Sequence, residues 1–212
     1  MKSKYFSEFL GTAFLFCTVV GSGIMGQNLS SNDSLTLLAN TLATVFALYF
    51  LITVFGDYSS HFNPVVSMVM LVRKEISTQV CTVFIILQIS GAILGVMLAN
   101  YIFELDPVYF SEKPRSGTHL FVSEILATFG LLMVILLSSK EKVAVTVAAY
   151  IGAAYWFTSS TSFANPAGTI GRSFSNTFAG ISTNDILHFC VAQIIGAFLA
   201  LFVYKTFFES QK

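Results

Sequence analysis

Two short motifs pair an asparagine with a following proline, at Asn63-Pro64-Val65 and at Asn165-Pro166-Ala167. Asparagine is a strong helix cap and proline fits the first helical position, so each motif predicts the start of a helix. The first turn of such a helix has unpaired backbone N–H groups and the positive end of the helix dipole. The two motifs therefore predict two sites at which fixed hydrogen-bond donors and partial positive charge are presented.

Other chemistry is poorly represented in the sequence. It has three histidines in no metal-ligand spacing, and it contains no zinc-protease, dinucleotide, phosphate-loop or nucleophile-elbow motif. Cys17, Cys81 and Cys190 all lie in apolar runs, which indicates packing rather than a disulfide or a metal site. We therefore expect no enzyme, no cofactor and no metal, and the net charge of zero argues against a nucleic-acid partner.

The elements that must position these motifs are membrane helices. Of the 212 residues, 55% are hydrophobic and only 10% are charged, against roughly 25% charged in a soluble domain. Several uncharged runs are as long as the ~20 residues that cross a bilayer as a helix. The sequence predicts an all-α membrane protein with six transmembrane helices, at about 5–25, 35–56, 77–103, 118–139, 143–160 and 185–207.

Each Asn-Pro motif opens a segment that is too short to span a bilayer. After the first motif, only a few mostly apolar residues precede Arg73 and Lys74. We therefore predict two re-entrant half-helices, at 63–72 and 165–176, that begin in the middle of the membrane. Irregular backbone at that depth must be buried in protein or line a water-filled cavity.

The chain carries an internal duplication. Three landmarks recur in the same order: a Glu-x-x-x-Thr element, an Asn-Pro motif and a Gln-x-x-Gly element. They divide the chain into a first repeat at 1–110 and a second at 111–212. Each repeat holds three spans, so the second must enter the membrane from the opposite side, as in the inverted 3+3 repeats of transport proteins. The repeated glutamates and glutamines are Glu8, Glu124, Gln88 and Gln193.

The basic residues predict the orientation. With a cytoplasmic N-terminus, eight of them lie inside and three outside, which favours both termini in the cytoplasm. Short loops suit a bacterial inner membrane. The inside set is Lys2, Lys4, Arg73, Lys74, Lys140, Lys142, Lys205 and Lys212, and the outside set is Lys113, Arg115 and Arg172.

Taken together, these landmarks resemble the major intrinsic protein family, the aquaporins and aquaglyceroporins. The resemblance covers nearly the whole chain and implies a homotetramer with one pore per subunit. It implies that Asn63 and Asn165 donate hydrogen bonds to the permeating molecule at the pore centre, beside Pro64, Val65, Pro166 and Ala167. It also implies that converging helix ends exclude cations and protons. The residues expected to support the re-entrant loops are Glu8, Glu124, His61, Gln88 and Gln193.

The sequence departs from the family pattern where selectivity is set. Most members have arginine directly after the second Asn-Pro-Ala, whereas this chain has Gly168, and its basic residue is Arg172, one helical turn further on. Arg172 could line the pore or could bind loop carbonyls at the outer rim. Counting back from the motifs places the other filter positions near Thr44 and Ala153, which predicts a wide, weakly charged filter.

The expected function is passive passage of small uncharged solutes across the lipid bilayer. Candidates are glycerol-like polyols, urea and neutral metalloid hydroxides, since the tract 163–181 resembles a bacterial branch associated with arsenic resistance; water could pass as well. Protons and ions should be excluded. A second hypothesis is a proton-coupled carrier that uses Glu8 and Glu124, the acids at equivalent places in the two repeats.

Overall fold

Eight α-helices build the part of the chain that the structure, a computed structural model, describes, which is residues 2–209. A single turn of 3-10 helix, Thr183–Asp185, precedes the last of them, and no β-strand is present within these residues. The all-α fold predicted from the sequence is confirmed; Lys212, counted above for orientation, lies outside the described residues. The helices are α1 (Lys2–Leu29), α2 (Asp33–Phe55), α3 (Pro64–Val72), α4 (Thr78–Ile102), α5 (Thr118–Leu137), α6 (Val143–Phe157), α7 (Pro166–Arg172) and α8 (Ile186–Phe207).

Six of these helices correspond to the predicted spans. Within residues 2–209, five are long and apolar enough to cross a membrane, namely α1, α2, α4, α5 and α8. Helix α6 is shorter, with 15 residues, because the backbone becomes extended at Thr158 (φ −106°, ψ 135°). The predicted end of that span at 160 is therefore too late.

The two short helices are α3 and α7. Helix α3 ends at Val72, as predicted, whereas α7 ends at Arg172 and not at 176. Beyond α7 the chain pairs with the loop that joins the two halves: the Ser111 N–H donates to the Ser173 carbonyl (2.8 Å) and the Tyr109 N–H to the Phe174 carbonyl (3.2 Å). These carbonyls are bonded across the loop and not along a helix, so α7 stops.

Close helix contacts occur at equivalent places in the two halves. Helix α1 packs against α4, and α5 packs in the same way against α8. A Cβ atom on Gly95 of α4 would overlap the backbone oxygen of Ala13, and one on Gly196 of α8 would overlap that of Ile125. Only glycine allows the backbones to approach so closely. These contacts hold the short helices between the long ones, with α3 and α7 both against α4 and α8.

The outer surface of the bundle is apolar. Every long helix exposes large hydrophobic side chains, whereas four polar side chains are fully buried in the interior: Glu8, Gln88, Glu124 and Gln193. This inversion of the usual soluble pattern fits a lipid environment. Examples of exposed residues, one from each long helix, are Phe14, Phe46, Leu98, Leu126 and Leu199.

Candidate functional site

Both short helices begin at the predicted asparagine caps. The Asn63 side-chain oxygen accepts a hydrogen bond from the Val65 N–H (3.2 Å), and Pro64 is the first helical residue. The Asn165 side-chain oxygen likewise accepts from the Ala167 N–H (3.0 Å), after Pro166. The side chains of Val65 and Ala167 are fully buried and do not line the cavity described below.

The two caps are also bonded to each other's loops. The Asn63 amide nitrogen donates to the Ala164 carbonyl (2.7 Å), and the Asn165 amide nitrogen donates to the Phe62 carbonyl (2.8 Å). Phe62 and Ala164, which precede the asparagines, both have left-handed backbone conformations, with φ of 48° and 47°. Such conformations cost about 1–2 kcal/mol in residues other than glycine. The reciprocal bonds therefore need an outside support, and two buried carboxylates provide it.

Glu8 of α1 supports the first loop. Its side chain is fully buried and accepts four hydrogen bonds: from Ser59 Oγ (2.5 Å), the His61 N–H (2.8 Å), the Phe62 N–H (2.8 Å) and Gln88 Nε2 (2.7 Å). Gln88 of α4 also donates to Ser67 Oγ of α3 (2.9 Å), so the network joins three helices to the loop.

Glu124 of α5 supports the second loop in the same way. It accepts from Ser160 Oγ (2.6 Å), the Phe163 N–H (2.9 Å), the Ala164 N–H (2.9 Å) and Gln193 Nε2 (2.6 Å). Gln193 donates in turn to Thr169 Oγ1 of α7 (2.9 Å). Because all four partners donate, both carboxylate oxygens act as acceptors, which is the pattern of an ionised group. The carboxylate is held by neutral donors, and within residues 2–209 it forms no ion pair.

His61 contributes to the same loop. Its Nδ1 lies 3.0 Å from Ser67 Oγ, and its ring packs edge-on against Phe84. The predicted loop-supporting residues therefore occur in two equivalent networks, one on each side of the asparagine pair.

A cavity of about 780 Å³ passes the two asparagines. It opens at the face of the molecule that holds the start of α1 and Glu209, beside Lys4, Asp57 and Lys140, and we call this the terminal face. From there it passes Asn63 and Asn165. It then reaches a group of side chains that we call the Arg172 cluster: Thr44, Tyr155, Phe163 and Arg172.

Arg172 satisfies both of the possibilities left open by the sequence. It is buried and lines the cavity, and its Nε donates to the carbonyl of Ala179 in the loop after α7. Its guanidinium lies over the ring of Phe163, with the central carbon 3.3 Å from the ring centre. The remaining guanidinium N–H groups have no hydrogen-bond partner among residues 2–209, and they are available to a molecule in the cavity.

Positive charge accumulates beyond this cluster. Arg115 covers the same Phe163 ring (4.7 Å), and the Lys113 ammonium donates to the Phe178 carbonyl (2.8 Å). Burial lowers the pKa of Arg115 to about 10, an effect that the charge of Glu124 partly offsets. Burial, with repulsion from Arg115 and Arg172, lowers the pKa of Lys113 to about 8. Three neighbouring cations held by carbonyls and rings oppose the approach of a further cation.

The predicted filter positions are only partly right. Thr44 lines the cavity, and its hydroxyl lies 3.1 Å from that of Tyr155. Ala153 is exposed on the outside of α6 and does not line the cavity, so that prediction is wrong. The inward face of α6 carries Val147, Ile151 and Tyr155, spaced by four residues, and Ala153 does not fall on it. This spacing was a usable signal for Tyr155.

Two further cavity residues were missed. Ser162 precedes the second motif, is 3% exposed and lines the cavity, and its hydroxyl has no partner within the described residues. Phe16 of α1 lines the cavity and occupies the space beside Gly168, where a Cβ atom would overlap the ring. Gly168 itself is not part of the lining. Phe16 therefore fills the space that the missing side chain at position 168 was expected to leave open. No local motif identifies either residue.

The support network yields a stability prediction. In Glu124→Gln, an amide nitrogen replaces one acceptor oxygen and faces two donors, so we expect a loss of about 1.5–3 kcal/mol for each charge-assisted bond broken. The melting temperature in detergent and the rate of solute flux should both fall. Glu104→Gln, at an exposed glutamate that does not line the cavity, is the control and should leave both unchanged. A Glu124→Gln protein with wild-type melting temperature and flux would contradict the assigned role.

The sequence of this chain is similar to those of known proteins. Residues 1–204 match the sequence profile described as major intrinsic protein. The chain is 46% identical over 199 residues to aquaglyceroporin AqpS of Rhizobium meliloti (strain 1021), covering 92% of this chain and 85% of the relative. It is 32% identical over 218 residues to glycerol uptake facilitator protein-like 6 of Lactiplantibacillus plantarum (strain ATCC BAA-793 / NCIMB 8826 / WCFS1), covering 94% and 95%.

A solved structure agrees with the fold. The X-ray structure of the aquaglyceroporin from Plasmodium falciparum superposes with a TM-score of 0.74, over 99% of this chain and 97% of that one, at 20% identity. The sequence profile and the 46% identical relative lead to the same conclusion: the chain belongs to the major intrinsic protein family.

Proposed function

We propose that the chain is a passive channel through which small uncharged solutes cross the lipid bilayer by way of the cavity. The observation that carries this proposal is the reciprocal bonding of Asn63 and Asn165, which fixes two helix N-termini against each other on the wall of the cavity. A channel catalyses no chemical reaction, so the chain is not an enzyme.

Neutral solutes pass because the polar groups along the path replace part of their hydration. Each asparagine uses one amide hydrogen on the opposite loop, which leaves the second for a solute. Further on, the free N–H groups of Arg172 line the path. A solute with several hydroxyl or amide groups can exchange water for these partners one after another.

Ions are excluded by the same groups. The N-termini of α3 and α7 carry partial positive charge, and Arg172, Arg115 and Lys113 add full charges further on. A cation meets repulsion at both levels. An anion would lose its hydration to a cavity whose remaining walls are largely apolar, among them Leu48 and Ile151.

The permeants that fit best are glycerol-like polyols, urea and neutral metalloid hydroxides, with water as a further permeant. Two relatives are named as an aquaglyceroporin and a glycerol uptake facilitator-like protein. The cavity offers the matching chemistry, with apolar side chains for the carbon skeleton and donors for the hydroxyl groups. Phe16 and Leu48 are examples of the first kind, and Arg172 and Asn165 of the second.

The wider assembly follows the family pattern. We infer an inverted pair of repeats at 1–110 and 111–212, a homotetramer, and a bacterial inner membrane as the site, with the terminal face in the cytoplasm. The equivalent packing of α1 on α4 and of α5 on α8 supports the repeats. The basic residues at the terminal face, such as Lys4, Arg73 and Lys140, support the orientation.

The carrier hypothesis is not supported. Glu8 and Glu124 are fully buried, and each is saturated by four donors that hold a loop in place. Neither carboxylate lines the cavity. A carboxylate that must remain an acceptor to keep the loops folded is poorly suited to cycle between protonation states.

A solute panel tests the channel proposal. In proteoliposomes, we expect rapid entry of glycerol and urea in a swelling assay, with rates that do not change when a proton gradient is imposed. Empty liposomes and the Glu104→Gln protein are controls for leak and for reconstitution. Accumulation of glycerol above its outside concentration, driven by the gradient, would show a carrier instead.

A cysteine substitution tests the path itself. We expect Ser162→Cys to conduct glycerol and to lose most of this flux when a membrane-impermeant thiol reagent is added, because the modified side chain would fill the cavity. Wild type, whose three native cysteines are buried or half-buried in membrane helices, should keep its flux, and Ser159→Cys, at an exposed neighbour, should be labelled without a loss of flux. Complete modification at 162 with full residual flux would remove this residue from the path.

A further inference from the structure

The space beside Gly168 is filled by a side chain from another helix. A Cβ atom on Gly168 of α7 would overlap ring atoms Cε1 and Cζ of Phe16 on α1. The Phe16 ring is 5% exposed and lines the cavity. One edge of the ring therefore contacts α7, while the ring also forms part of the cavity wall. The Phe16 ring therefore occupies the space that a side chain at position 168 would fill.

The two halves of the chain differ at this contact. The interval between the two supporting glutamates is 116 positions, and the same interval takes Phe16 to Leu132. The interval between the two capping asparagines is 102 positions, and it takes Val66 to Gly168. Phe16 of the first repeat thus meets Gly168 of the second, whereas the equivalent positions hold Leu132 in the second repeat and Val66 in the first. Leu132 is fully buried and does not line the cavity, whereas Phe16 does.

We propose that Phe16 is a specificity-determining residue of this channel, whose ring, seated against Gly168, limits the size of the solute that can pass the Arg172 cluster. The inference rests on the proposed function as a neutral-solute channel. The Phe16 side chain has only two rotatable bonds, and its ring is rigid. Because the ring packs against α7, it forms a fixed part of the cavity wall. Arg172, one turn beyond Gly168 on α7, supplies the donors of the same stretch of the path. A solute must fit its carbon skeleton against the ring while its hydroxyl groups reach the guanidinium.

The test compares two polyols of different length in proteoliposomes. Phe16→Ala should raise the ratio of xylitol to glycerol permeability about tenfold, the scale on which an apolar pocket discriminates by size. Leu132→Ala removes the equivalent side chain of the other half and serves as the matched control, with a ratio expected to equal that of wild type. Both proteins are compared at equal reconstituted amounts, determined from the protein content of the liposomes.

A second pair of variants tests the same contact if the Phe16→Ala protein fails to fold. Gly168→Ala would force the Phe16 ring away from α7 and towards the cavity, so we expect it to lower xylitol and glycerol flux. Phe16→Leu shortens the side chain, and the same Gly168→Ala change in that background should then have little effect.

The outcomes separate this inference from the proposed function. An unchanged xylitol ratio in Phe16→Ala, with glycerol still conducted, would overturn the role of Phe16 alone. An equal rise in Leu132→Ala would do the same, since it would show general loosening of the bundle. A wild-type protein that conducts no glycerol would overturn the proposed function and this inference with it.

Discussion

The rest of the structure depends on two carboxylates, Glu8 and Glu124, that are buried without a counter-ion among residues 2–209. Removing a carboxylate from water is costly unless hydrogen bonds replace its hydration, and Glu8 and Glu124 each collect four such bonds. Backbone N–H groups of the re-entrant loops supply two of the four in each network. The loops therefore fold around the carboxylates, and the same bonds satisfy the buried charge and the backbone N–H groups.

Several features follow from this constraint. The N–H bonds to the glutamates hold Phe62 and Ala164 in their left-handed conformations and direct the carbonyls of these residues to the opposite asparagine. The asparagines then cap α3 and α7, and the positive ends of both helices face each other beside the cavity. Glu8 and Glu124 thus support the loops and do not line the path. The path keeps positive dipoles, positive side chains and neutral donors, which is a suitable set for solutes without charge.

The sequence predicts well those features that rest on short-range chemistry. An asparagine before a proline starts a helix almost regardless of its surroundings, and the repeated glutamates and glutamines of the two halves occur in one network each, as expected. The residues that line the cavity are predicted less well. Counting residues back to Ala153 ignores the rotation of α6, and the loop 158–165 between α6 and the motif contains left-handed residues at 161, 162 and 164 that such a count cannot allow for. Gly168 is a second case, because the side chain that fills its place comes from α1, about 150 positions earlier.

The central claim is that facing helix ends and the two asparagine caps admit neutral solutes while they exclude ions. It is tested most directly by recording glycerol flux and proton or sodium flux on the same proteoliposomes under an imposed membrane potential. For wild type, the account predicts glycerol flux without a detectable ion flux, and an ion leak when aspartate replaces both asparagines, Asn63→Asp with Asn165→Asp, and so offsets the positive helix ends. A wild-type proton or sodium flux that rises in proportion to glycerol flux would contradict it.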